Sequence, residues 1–106
     1  MEFPRHLLIV RNTVDPAHEA AFNHWYNSEH LADVAKLPGC IGAARYRVLE
    51  GDGSHQYMAV YAFASDEALR EATQSAYFQE LIQRYDKAVG TFSSRVRTTY
   101  TIVYEL

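Results

Sequence analysis

One stretch of this chain concentrates groups able to move protons. In NHWYNSEHLADVAKLPG, residues 23–39, an acid, an imidazole and two large aromatics fall close together before Leu37-Pro38-Gly39 closes the segment. His30 is the natural general acid or base, because imidazole changes charge near neutral pH. Glu29 or Asp33, within one helical turn, would raise its pKa or share its proton. The Tyr26 phenol could donate a hydrogen bond to an oxygen gaining negative charge. Trp25 and Phe22 could wall a flat molecule, as could Tyr57 and Tyr61 further along. Arg45 could hold a carboxylate, with Arg11 and Arg97 as further cations of the same kind.

Each of these residues also has a plain structural reading. An aromatic on a helix face is ordinarily core, and a lone histidine at a core boundary ordinarily bonds to backbone. Arg45-Tyr46-Arg47 reads equally as strand alternation. Cys40, the single cysteine, reads as a small apolar side chain.

The elements that must position these groups follow from pattern and punctuation. HLLIVRNTV (6–14) is apolar and β-branched and predicts a buried strand. Asp15-Pro16 caps and opens a helix from about residue 17 to residue 37, with a bend near Asn27-Ser28 and a stop at Pro38-Gly39. CIGAARYRV (40–48) and HQYMAVYAF (55–63) predict strands joined by EGDGS, where Gly51 and Gly53 are free to take positive φ. Ser65 caps a second helical region, DEALREATQ followed by AYFQELIQRYDKAV, broken near Ser75 and ended by Gly90. SRVRTTYTIVYEL predicts a long final strand.

The order β-α-β-β-α-β suits a single α+β, ferredoxin-like domain over residues 1–106. Its four-stranded antiparallel sheet carries both helices on one face. Residues 57–63 are apolar on both alternating sets, and Val96, Thr98, Tyr100, Ile102, Tyr104 and Leu106 line one side of the last strand. A strand apolar on both sides wants cover on both faces. The expectation is therefore a homodimer in which two sheets face each other.

On a regular wheel at about 100° per residue, Phe22, Trp25, Tyr26 and Leu37 share one side with His18, Glu29 and Asp33. His24, Ser28, Leu31 and Lys36 lie opposite, and His30 sits at the edge. A carboxylate inside an apolar stripe is costly without a partner. Either Glu29 meets a partner, water or a ligand, or the helix bends at Ser28 and turns Glu29 to the surface.

Bulk properties narrow the classes. A chain of 106 residues with 48% hydrophobic and 22% charged residues is an ordinary globular domain. The net charge of −3 gives no basic footprint for nucleic acid. There is no thiolate cluster, no phosphate loop, no G-x-S-x-G and no G-x-G-x-x-G. His24 and His30 are not spaced for one helix face, so no metal is expected. MEFPRHLLIVRNTV lacks a signal-peptide pattern and no apolar run suits a membrane span, so the expected location is the cytoplasm.

FNHWYNSEHLADVAKLPGCIGAARYRV resembles the EthD-like branch of the dimeric α/β-barrel proteins. The resemblance rests on Trp25-Tyr26, Glu29-His30, Leu37-Pro38-Gly39 and Arg45-Tyr46, and on element order along nearly the whole chain. Ala32 stands where relatives often have proline, so the helix is expected to continue smoothly. The resemblance implies paired sheets, a pocket between helices and sheet in each subunit, and a pocket role for His30, then for Tyr26 and Trp25. It implies chemistry without a cofactor: isomerase, cyclase, lyase or oxygenase action on compounds of aromatic catabolism or polyketide synthesis.

Three functions are open at this level. One is a cofactor-free enzyme of proton transfer on a small, flat, anionic compound. Another is a non-catalytic or stress-associated dimer that binds a hydrophobic metabolite and needs the aromatics without a tuned histidine. The third is a haem-binding member with His30 as axial ligand, which the neighbouring acids do not favour.

Overall fold

A computed structural model describes residues 2–106. The strands are β1 (His6–Val14), β2 (Cys40–Arg47), β3 (Tyr57–Phe63) and β4 (Ser93–Thr101). They form one four-stranded sheet in the order β2-β3-β1-β4, with every neighbouring pair antiparallel. This is the ferredoxin-like arrangement expected from the element order.

The first helical region is composite. A short 3-10 turn (Pro16–His18) leads into α1 (Glu19–Trp25). A π-turn (Tyr26–His30) follows, and then α2 (Leu31–Ala35). Asp15 caps the entry by accepting from the Ala17 N–H at 3.0 Å. After β3 come α3 (Asp66–Gln74) and α4 (Ala76–Val89). Ser65 caps the first through Ala68 N–H and Ser75 caps the second through Phe78 N–H.

Alternation sorts the sheet. Leu8, Val10, Asn12 and Val14 of β1 and Tyr57, Ala59, Tyr61 and Phe63 of β3 are buried under the helices. They pack with Phe22, Tyr26, Val34 and Leu37 from the first helical region and with Leu69, Ala72, Phe78, Leu81, Tyr85 and Val89 from α3 and α4. The opposite face carries Leu7, Ile9, Met58 and Val60, with Tyr46, Val96 and Tyr100 exposed at its sides.

Three local expectations need correction. β4 stops at Thr101, and residues 102–106 leave the sheet; Ile102 N–H bonds to Arg5 O at 2.8 Å, outside the ladder. The β2–β3 connection is a loop of residues 48–56, longer than a tight hairpin. Within it only Gly51 has positive φ, and Gly53 does not. The other positive-φ glycine, Gly39 (+85°), ends the first helical region: a Cβ there would lie 2.6 Å from Ala68 Cβ.

Candidate functional site

The π-turn sets the site. Phe22, Tyr26, His30 and Val34 are all buried and recur every four residues. A helix of about 3.6 residues per turn drifts away from such a spacing. One wider turn, closed by Leu31 N–H on Tyr26 O, absorbs the drift. Ser28 Oγ stays local, donating to His24 O at 2.6 Å. The regular wheel is therefore wrong beyond Tyr26. His30 moves from the edge into the core, while Glu29 turns to the surface. His18 is exposed too, stacked on Phe92.

The His30 ring is enclosed by aromatics. It stacks on Trp25 at 4.6 Å between centroids, meets Tyr26 edge-on at 4.9 Å and lies 5.9 Å from Tyr85. Burial pulls its pKa down to about 4, and the positive charges of Arg95 and Arg84 add to the fall. Asp33 pulls the other way but does not prevail. The expected upward tuning by carboxylates is thus reversed, because desolvation outweighs the one acid close enough to be felt. His30 is a neutral imidazole at physiological pH. Asp33 directs its carboxylate to Lys36 and Arg84, at 3.2 and 3.6 Å.

Beside His30 lies a cavity of about 30 Å³, lined by Tyr26, Tyr61 and Tyr85, by apolar side chains of β1, α2 and α4, and by Arg95 and Arg97. That is room for about one water. Tyr26 and Tyr61 place their hydroxyls 3.3 Å apart. Burial raises both phenols, Tyr26 to about 12, so both remain protonated donors. Tyr85 has its hydroxyl fixed: Asn12 Nδ2 donates to it at 3.1 Å, it donates to Ser93 Oγ at 2.7 Å, and Ser93 donates to Val89 O at 2.7 Å. Asn12 is fully buried, and its Oδ1 has no partner among the described residues.

Arg45 does not line this cavity. Its guanidinium donates to Asn27 Oδ1 at 2.8 Å and Asn23 Oδ1 at 3.0 Å, and lies 4.5 Å from the centre of the Tyr26 ring. It opens on a separate groove with Asn23, Asn27, Tyr46, Arg47 and Tyr57. Tyr57 is a wall of that groove, its hydroxyl donating to Glu19 at 2.6 Å and accepting from Asn23 at 2.9 Å. Phe22 is core beneath Tyr26.

The structure thus brings together His30, Tyr26, Trp25 and Tyr61. It leaves Glu29, Arg45 and Tyr57 outside the cavity and turns Asp33 toward cations. Sequence reasoning missed Asn12, Tyr85 and Arg95. A usable signal existed for Arg95: if Val96, Thr98 and Tyr100 face outward, Arg95, Arg97 and Thr99 must face the helices.

Fold and site together define a ferredoxin-like α+β domain with a small aromatic cavity between helices and sheet. A family model described as a domain of unknown function, DUF4286, matches residues 5–106, and the chain belongs to that family. No curated protein matches it. Among solved structures it is similar to an EthD family protein from Bacillus halodurans, with 17% identity, coverage of 88% of this chain and 96% of that one, and a TM-score of 0.67. It is similar to a variant of SnoaB, a cofactor-independent oxygenase from Streptomyces nogalater, with 22% identity, coverage of 98% of each chain and a TM-score of 0.69. HapK from Hahella chejuensis is 16% identical over 94% of each chain, with a TM-score of 0.70. These likenesses bear out the EthD-like resemblance at the level of fold. No helix among the described residues is long and apolar enough to cross a membrane.

Proposed function

We propose that the protein is a cofactor-free enzyme that moves a proton on a small, flat, anionic compound of the aromatic-catabolism or polyketide type, by isomerisation, cyclisation, lyase action or lactone or ester opening. One observation carries this reading: a neutral histidine faces a cavity whose other polar groups are phenol donors and arginines. In such a site His30 takes a proton from a carbon beside a carbonyl. The electron pair moves onto the carbonyl oxygen, where Tyr26 meets the new charge. Return of the proton from the imidazolium to another carbon completes an isomerisation. A pKa near 4 makes free His30 a weak base, but an anionic substrate beside it raises that value toward the working range. The similarity to a cofactor-independent oxygenase supports chemistry of this general kind.

The working unit in this reading is a homodimer in the cytoplasm, the apolar open face of each sheet covering the other. The space present takes a water, so a ring-sized substrate must part the side chains that line it. His30→Ala is expected to lose roughly 100-fold or more in rate, and unchanged turnover on a true substrate would refute the role.

A second reading is a non-catalytic dimer that binds a small molecule. The observation favouring it is the same depressed His30, held neutral well below the pH of the cell. Ligand affinity that is indifferent to pH and to His30→Ala would select it.

A further inference from the structure

The Tyr26 and Tyr61 hydroxyls are 3.3 Å apart, where bonded hydroxyls ordinarily close to about 2.7–2.8 Å. The wider gap suits two donors converging on a third oxygen. A proton count says the same. The pair holds two O–H groups, their mutual bond engages one, and neither oxygen has another partner among the described residues. One buried O–H therefore has no acceptor within the described chain. Tyr85 is the contrast in the same cavity, since its proton already goes to Ser93.

Positive charge around the pair exceeds negative. Arg95 and Arg97 line the cavity. Arg45 lies 4.5 Å over the Tyr26 ring, and no carboxylate among the described residues pairs with it. Asp86 pairs with Arg95 and offsets its charge, while Asp33 binds Lys36 and Arg84 and Glu19 binds the Tyr57 hydroxyl, so among the described residues Arg97 and Arg45 keep charges that no carboxylate offsets. Positive charge over the Tyr26 ring makes its O–H a stronger donor to an anion.

We infer that the ligand is a phenol or enol taken up as its oxyanion, its oxygen held jointly by the Tyr26 and Tyr61 hydroxyls, with Arg45 as a positioning residue acting through the Tyr26 ring. The inference rests on the proton-transfer reading and extends it: the oxyanion that His30 makes by removing a carbon proton and a phenolate bound ready-made take the same place between the two hydroxyls.

The test uses the full chain and 4-nitrophenol, whose visible absorbance reports its ionisation, at a pH equal to the probe's own pKa. The phenolate band is expected to grow as protein is added. Tyr26→Phe and Tyr61→Phe should each reduce the preference for phenolate over phenol by roughly tenfold, the weight of one hydrogen bond to a charged group. Arg45→Met should reduce that preference and Arg45→Lys should restore it, with circular dichroism confirming the fold of each. Absence of binding, uptake of the neutral phenol, or an Arg45→Met protein with unchanged preference would overturn the inference. The two readings fail separately. A growing phenolate band with full turnover by His30→Ala sinks the proton-transfer role alone. A His30-dependent reaction with no phenolate preference sinks this inference alone.

Discussion

Trp25 and His30 lie face to face, their ring centroids 4.6 Å apart and their planes 19° from parallel. Trp25 is the only tryptophan in the chain, so its fluorescence reports on one histidine. Protonated imidazole quenches indole more strongly than the neutral form. The emission is therefore expected to hold steady through neutral pH and to fall with a midpoint near 4, and His30→Leu should remove that step. A midpoint near the ordinary 6.5 would show that water reaches the ring and that burial does not hold it neutral.

The same burial makes stability depend on pH. Folded His30 has a pKa of about 4 against an ordinary 6.5, so between those values the unfolded chain binds the extra proton and the folded one does not. Stability from this group is complete above pH 6.5 and is lost as the pH falls toward 4, by roughly 3 kcal/mol in all. Urea midpoints at pH 7.5, 6 and 5, compared with those of His30→Leu, should show the wild-type protein losing ground to the variant as the pH drops. Parallel curves would sink the claim.

Gly39 is required by geometry. Its φ is +85°, and a Cβ would sit 2.6 Å from Ala68 Cβ, while its carbonyl accepts from Ala64 N–H at 2.8 Å. Gly39→Ala forces both a left-handed alanine and a clash of α3 against the turn. The expected cost is about 3 kcal/mol, seen as a lower urea midpoint with an unchanged slope. Gly53→Ala, where nothing lies within 4 Å, is the matched control and should change little.

The open sheet face makes a prediction about assembly. Val96 and Tyr100 are 49% and 42% exposed on a face shared with the mostly covered Leu7 and Ile9. If two sheets pack together, Val96→Glu puts an unpaired charge into the interface. Sedimentation should then give a dimer for the wild-type chain and a monomer of unchanged secondary structure for the variant. A wild-type monomer at micromolar concentration would end the proposal.

Much of the fold was legible because its signals are local. His6–Val14 announces itself by β-branched residues, Asp15 and Ser65 by capping chemistry, and the ferredoxin-like class by the sequence of elements. The site was less legible because it depends on how turns accumulate. A fixed 100° wheel places Glu29 in the stripe and His30 at its edge; the spacing of Phe22, Tyr26, His30 and Val34 by fours was the overlooked cue. Asn12, Tyr85 and Arg95 converge from three distant segments; strand alternation turns Arg95 toward the helices, but no pattern within one segment says that the three meet. The direction of the His30 pKa is hidden in the sequence for a related reason: the proximity of acids is visible there, and the depth of burial that outweighs them is not.

The π-turn is where this helix stores one residue beyond regular winding. Removing a single residue at position 27 or 28 would let the helix close with regular turns, and the side chains after it would keep nearly their present phase, drawn in by about 1.5 Å along the axis. The imidazole would still face the cavity. A residue removed from α1, where the turns are already regular, has no such slack: the side chains beyond it would swing by about 100° relative to those before it. The helix therefore has one place, at Asn27-Ser28, where its length can change without turning its faces.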